Sequence, residues 1–305
     1  MPGPIPMQQV PGVFHRRVGE IIVTALHDGY QDSPMATVRD IPEAEAVRML
    51  RDNLRPAPRR TAANCFLIRN GARTALVDTG FGPVRPTVGF LQANLAAAGV
   101  APDEIDVVLL THMHPDHWGG LADKQGRAMF PCAELAMHAD DHAYWHDDGA
   151  MMRVEDPARR QMFFGDGRAQ VAPYRERMRL FTGREVFPGV TAVPLPGHTP
   201  GHTGFMIASG SASLLVWGDI VHVQELQVAR PEVTMAVDVD PAKAVATRRA
   251  ILERVAADRQ AIAGMHLHFP AFAHVVRHGD GYRLLPDAWS MDLDGDVAQV
   301  AKEEE

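Results

Sequence analysis

Cysteine is nearly missing from this chain of 305 residues: only Cys65 and Cys132 occur, each inside an apolar run, where they read as small buried hydrophobes and exclude a disulfide framework. No run approaches the roughly 18 apolar residues of a membrane-spanning helix. The proline-broken start MPGPIPMQQVPGVFHRRVGE also lacks the continuous apolar stretch of a secretion signal. The expectation is a soluble, cytoplasmic protein with no membrane partner. Positive charge is in the minority, with 30 Lys+Arg against 38 Asp+Glu for a formal charge of −8, which argues against a nucleic-acid partner. A GxSxG elbow is absent, and neither cysteine has a histidine beside it in sequence, so covalent catalysis by serine or cysteine has no support. What the chain does have is histidine, 15 residues against 4 tyrosines and 4 tryptophans, and their positions carry the information.

The rest of the composition is ordinary for a globular protein, and no linker divides the chain convincingly. Residues 1–18 read as an extended N-terminal arm, 19–290 as one catalytic domain, and 291–305 as an acidic tail. EIIVTALHDG reads as the first strand, and a helix-compatible stretch follows from Ile41 to Asn53. NCFLIRNG and RTALVDTG, joined at Asn70-Gly71, read as a hairpin. Residues 87–99 have helical spacing, and IDVVLLT is a buried strand that ends where a histidine cluster begins. Between about 138 and 185 the mixture of aromatics, methionines and charges predicts helices forming a lid. Strand patterns return in GVTAVPLP, HTGFMIAS and ASLLVWGDI, followed by the helix PAKAVATRRAILERVAAD with Pro241 at its start, then QAIAGMH and a hairpin around Gly279-Asp280-Gly281.

The decisive segment is Thr111-His-Met-His-Pro-Asp-His117. His112 and His114 stand two apart, so in an extended continuation of the strand they face one side, while Asp116 and His117 come from the turn that follows. Neutral imidazoles and carboxylates suit zinc and similar divalent ions, and packing four of them into six residues would be costly to desolvate without a metal. His198 in PLPGHTPGHTG, Asp219 in LLVWGDI and His266 in AGMHLHFP each lie in a loop following or interrupting an expected strand. Five histidines and two aspartates suffice for two metals with one shared carboxylate. His138, His142 and His146 form an i, i+4, i+8 stripe that could bind a further ion, but Asp140, Asp141, Asp147 and Asp148 interleave as on a solvated helix, and that reading is preferred.

These motifs, with LVDTG around Asp78, PGHTPGH, WGD and MHLHFP in order, resemble the metallo-β-lactamase-fold hydrolases, and within them the dinuclear branch that includes acyl-homoserine lactonases and methyl parathion hydrolase. The resemblance covers roughly residues 19–286. It implies an α+β chain folded as an αββα sandwich, with metals at one edge between the two sheets. Carried over by position, it implies that His112, His114 and His198 hold one metal, that Asp116, His117 and His266 hold the other, and that Asp219 bridges them. It also implies that Asp78 fixes the metal loop by hydrogen bonding. The chain departs from the family pattern at His268, where proline is frequent; His268 reads as an exposed bystander or as a polar group reaching the site.

Two divalent ions, zinc foremost with manganese, iron or cobalt also acceptable, would hold a bridging hydroxide as nucleophile, and Asp116 could pass a proton to the leaving group. Besides its bridging place, Asp219 is thereby grouped with Asp116 as catalytic. Phe81, Trp118, Tyr144, Phe163, Phe164, His222 and His268 are the candidate pocket residues, and His202 reads as structural. The expected activity is metal-dependent hydrolysis of a small ester-like substrate: a lactone, an aryl ester or a phosphotriester. A thioester hydrolase of the glyoxalase II type, a sulfur dioxygenase and a non-catalytic metal-binding regulatory module are the competing readings. Apolar residues on the arm (Val10, Val13, Phe14) and on the lid lead to an expected homodimer.

Overall fold

The structure is a computed structural model that describes residues 5–7 and 9–293. Two seven-stranded sheets face each other. The first runs in chain order through Val13–Val18, Ile21–Ser33, Arg59–Asn70, Arg73–Val77, Val107–Leu109, Glu134–His138 and Met178–Phe181. The second has the spatial order Gly281–Pro286, Phe272–His278, Ala261–Ala263, Ala212–Val216, Thr203–Ser209, Val190–Pro194 and Arg184–Phe187. Strand alternation explains the layering. In the first sheet Phe66, Ile68, Ala75, Val77, Val107 and Leu109 enter the core between the sheets, while Leu67, Leu76, Val108 and Leu135 enter a second core on the opposite face. That outer core is closed by Leu91 and Leu95 of the helix Leu91–Ala97 and by Trp145 and Phe164. The helix Pro241–Ala257, capped by the Asp240 side chain on Lys243 N, packs Ile251, Leu252 and Val255 against the central core. The arrangement is the expected sandwich, two facing sheets with helices packed on their outer faces.

Topology gathers the chemistry. Val107–Leu109 pairs parallel with both Arg73–Val77 and Glu134–His138, and Ala212–Val216 pairs parallel with Ala261–Ala263. Val190–Pro194 lies two antiparallel steps from Ala212–Val216 and so runs the same way. The loops carrying His198, Asp219 and His266 therefore leave one edge of the second sheet, as ligand sites do at strand C-termini in such sheets. The loop after Val107–Leu109 meets them there, joined by the bond from Thr203 N to Thr111 O at 2.9 Å.

Two expectations are corrected. The arm ends earlier than residue 18: Val13–Val18 is an edge strand paired with Ile21–Leu26, and Phe14 packs on Phe272 with ring centroids 5.8 Å apart. Val13 and Phe14 thus have partners within the chain, because the pair Val18-Gly19 starts a tight reversal that folds this strand onto the next. The segment expected to be a helical lid is bounded by sheet strands on both sides, so its helices occupy only 139–177. Beyond residue 293 the acidic tail lies outside the described residues, as do residues 1–4 and 8. No helix among the described residues is long and apolar enough to cross a membrane.

Candidate metal centre and substrate cavity

Asp78 follows the strand Arg73–Val77 in the left-handed region at φ 58°, a conformation aspartate tolerates better than most residues. This backbone places its carboxylate to accept from Thr111 N at 2.8 Å, Thr111 Oγ1 at 2.7 Å and His117 Nδ1 at 2.6 Å. Because the Thr111 hydroxyl donates to Asp78, it accepts from His112 Nδ1 at 3.0 Å. One carboxylate thereby sets the ring orientation of both His112 and His117 and leaves each Nε2 facing the centre. Elsewhere, His266 Nδ1 bonds the Ala62 carbonyl at 2.8 Å and His198 Nδ1 bonds Asp238 Oδ1 at 2.7 Å.

The free nitrogens converge on Asp219. Its Oδ2 lies 3.1 Å from His222 and His266 Nε2, 3.2 Å from His117 Nε2, 3.5 Å from His198 Nε2 and 3.7 Å from His112 Nε2. Asp116 closes the other side, with Oδ2 3.4 Å from His266 Nε2 and Oδ1 3.7 Å from His117 Nε2. His112, His114 and His198 form one donor triad of metal-binding dimensions, and Asp116, His117 and His266 form another. Two more, His112-His117-Asp219 and His198-Asp219-His222, share Asp219.

The donor set fits divalent ions on a direct observation: His117 Nε2, Asp219 Oδ1 and His222 Nδ1 are buried without any hydrogen-bond partner, a costly state that an ion would relieve for the two donors facing the centre. Burial, reinforced by neighbouring imidazoles, drives His112 and His114 well below the usual histidine range, so both offer neutral lone pairs. Burial alone would raise the Asp219 carboxyl, but the surrounding imidazoles outweigh it and hold the group well below the carboxylate range. For His117 burial is likewise outweighed, by Asp219, Asp78 and Asp116, which raise it strongly and show how the carboxylates call for cationic charge here.

His202, only four residues from His198, has a different task. Its Nδ1 donates to the Leu195 carbonyl at 2.8 Å and its Nε2 accepts from Asp219 N at 2.8 Å, so both nitrogens serve the scaffold. A Cβ on Gly218 (φ 59°) would stand 2.3 Å from that Nε2, so only glycine admits this approach.

A cavity of about 700 Å³ opens over the centre. Of the candidate pocket residues, Phe81, Trp118, Phe163 and His222 line it. Tyr144 and Phe164 instead border a separate cavity of about 450 Å³, which shares His114 and Phe163 with the first. His268 is not in either wall, since Glu225 captures its Nε2 at 2.6 Å. His222 lies nearer the centre than its sequence position alone suggested. The expectation of a solvated helix fails at Asp141, which is fully buried and accepts from Met113 N at 2.6 Å and Gly201 N at 3.2 Å, tying two centre-forming loops together. His142 and His146 simply stack at 4.0 Å, and His138 Nδ1 accepts from Asp140 N. No candidate metal group among the described residues includes these three histidines.

Sequence reading missed Asp28, Asp141 and Asp238. Asp28 is buried and pushed up to about 6 by desolvation; it accepts from the amides of Phe81 and Leu91 and so shapes the loop bordering the cavity. Asp238 stands in VDVDP, where nothing marks one aspartate as buried, and only the fold reveals its bond to His198.

A family model described as the Metallo-beta-lactamase superfamily matches residues 58–266. The hydrolase AbOPH, described as in the beta lactamase superfamily, is 30% identical with a TM-score of 0.88, over 93% of this chain and 100% of that one. AidC, a dizinc quorum-quenching lactonase solved with a product, is 25% identical with a TM-score of 0.85, over 92% of this chain and 99% of that one. A "Probable metallo-hydrolase" of Mycobacterium tuberculosis is 30% identical over 179 residues, 50% of this chain and 55% of that protein. The chain spans about half the length of the curated relatives it matches.

Proposed function

The chain belongs to the metallo-β-lactamase superfamily, and from that premise we propose that it is a dinuclear metal-dependent hydrolase of small ester-like substrates, lactones and aryl esters first and phosphotriesters next. The observation that carries the reading is the convergence of five imidazole nitrogens on the single oxygen Asp219 Oδ2, with Asp116 beside them and unpartnered donors at the same place. His112, His114 and His198 would hold one ion, Asp116, His117 and His266 the other, and Asp219 both; zinc suits these nitrogen and carboxylate donors. When bound, such a pair supplies a water activated for attack near neutral pH and an electrophile for the substrate oxygen. The lactonase activity printed for AidC supports the lactone class.

The chain's own residues supply the rest. Asp116 borders the cavity and, with one carboxylate oxygen left free, would carry a proton to the leaving oxygen. Phe81, Trp118 and Phe163 give the cavity an apolar wall for an acyl or aryl body and limit water around the reacting bond. Asp78 and Asp238 hold three imidazoles in register before substrate arrives, directly or through Thr111.

The test is a panel of lactones, aryl esters, thioesters and phosphotriesters, run on zinc-loaded protein, chelated protein and Asp219→Ala. Turnover of a lactone or aryl ester by loaded protein, lost on chelation and in Asp219→Ala, is the expected result. Turnover that survives both treatments would defeat the proposal, and exclusive turnover of thioesters would reassign the substrate.

A further inference from the structure

Arg59 and Arg248 are both buried, 6% and 1% exposed, yet their surroundings differ. Arg248 donates Nε to the Ile220 carbonyl at 2.7 Å and Nη1 to the Pro231 and Val233 carbonyls at 2.8 and 2.7 Å, which accounts for it as scaffold. Arg59 opens the strand Arg59–Asn70 and lines the large cavity together with Asp116, Asp219 and His266. Its Nη1 donates to Thr61 Oγ1 and its Nη2 to Thr37 Oγ1 at 3.2 Å, both neutral acceptors, and its Nε has no partner at all. The acidic group that acts on it, Asp116, does so through space. Burial lowers the guanidinium only to about 10, so it is cationic at neutral pH.

A buried cation bonded only to two neutral hydroxyls, with its Nε–H and one N–H on each Nη left over, is expensive unless an anion joins it in the working state. The hydroxyls show where the anion fits. Thr37 Oγ1 donates to the Pro34 carbonyl at 2.8 Å, so it has no proton left for a ligand. Thr61 accepts from Arg59 and keeps its own proton, and Thr61 also lines the cavity. The unbonded N–H groups of Arg59 and the Thr61 O–H are thus donors on one wall of the cavity, enough to meet the two oxygens of a carboxylate. Gln31 and Ser33, bonded to each other at 3.2 Å, continue this polar wall, whereas Phe81, Val84 and Trp118 make an apolar one.

We propose that Arg59 and Thr61 form a carboxylate-binding subsite, so that the substrate is an ester or lactone bearing a carboxylate apart from the bond that is cleaved. The inference deepens the hydrolase reading and rests on it. Arg59 is a specificity-determining residue, separate from the donors that surround Asp219.

The test uses full-length zinc-loaded protein and two matched pairs of esters. In 4-acetoxybenzoate and 4-acetoxybenzamide the acid or amide is on the leaving group; in monophenyl terephthalate and its amide it is on the acyl side. In at least one pair the acid should have the lower KM, and Arg59→Met should raise KM for that acid about 10- to 100-fold more than for its amide, with Arg59→Lys in between. Calorimetric titration with 4-hydroxybenzoate and terephthalate should show a matching loss of affinity in Arg59→Met. No acid preference in either pair, or equal losses for acid and amide, would overturn the subsite. If none of these four esters is turned over by the wild-type protein, the hydrolase reading is decided by the wider panel of lactones, esters and phosphotriesters; calorimetry then decides the subsite alone, and unchanged carboxylate binding in Arg59→Met would overturn it.

Discussion

The floor of the cavity and its cover are held by different kinds of interaction. On the floor, His117, His198 and His266 each spend their second ring nitrogen on a fixed acceptor, at 2.6, 2.7 and 2.8 Å. Over it, the segment 139–177 is assembled from short helices, including the π-helical turn Gln161–Asp166; Asp141, Gln170 and Tyr174 tie its far side to neighbouring loops, while its side toward the centre is packed by ring contacts. Trp145 lies 4.7 Å from Phe164 and 6.0 Å from Phe163, and Phe163 meets His114 edge-on at 5.1 Å. Directional bonds specify an angle; ring packing specifies only a volume. The floor is therefore suited to hold ions at fixed geometry, and the cover to vary what substrate it accepts.

Breaking one bond on each side sharpens the contrast. Asp238→Asn keeps the shape but removes the charged acceptor for His198 Nδ1, and it should weaken metal affinity about 10- to 100-fold. Competition with a fluorescent chelator measures this, and affinity equal to the wild type would mean that the floor bonds are incidental. Phe163→Ala removes one apolar wall of the cavity and should raise KM for an aryl ester about 10-fold, the equivalent of partly losing one buried aromatic contact, while metal content holds. A fall in metal content in this variant would show that floor and cover are not independent, the link being its contact with His114.

The same division explains what the sequence disclosed. The floor's donors were legible because ligand chemistry concentrates unusual residues in short motifs, THMHPDH above all, and the strands feeding them carry clear apolar patterns. Asp238 and Asp141 were not legible, since an aspartate at the start of a turn or helix looks the same whether it meets water or a buried imidazole or amide. The edge strand Val13–Val18 was hidden for a related reason: half of it faces outward, and His15, Arg16 and Arg17 gave VFHRRV the look of a polar arm. Arg59 sat unnoticed in the pair Arg59-Arg60, where one residue is buried in the cavity wall and its neighbour pairs with Asp32 on the surface.

The central claim is that this floor is built for two ions sharing Asp219, and metal analysis of the purified full-length protein after zinc saturation and removal of excess tests it most directly. The account predicts two tightly held ions per chain, with one or both lost in Asp219→Ala. Saturation of the wild-type protein at a single ion, or full retention of two in Asp219→Ala, would contradict it.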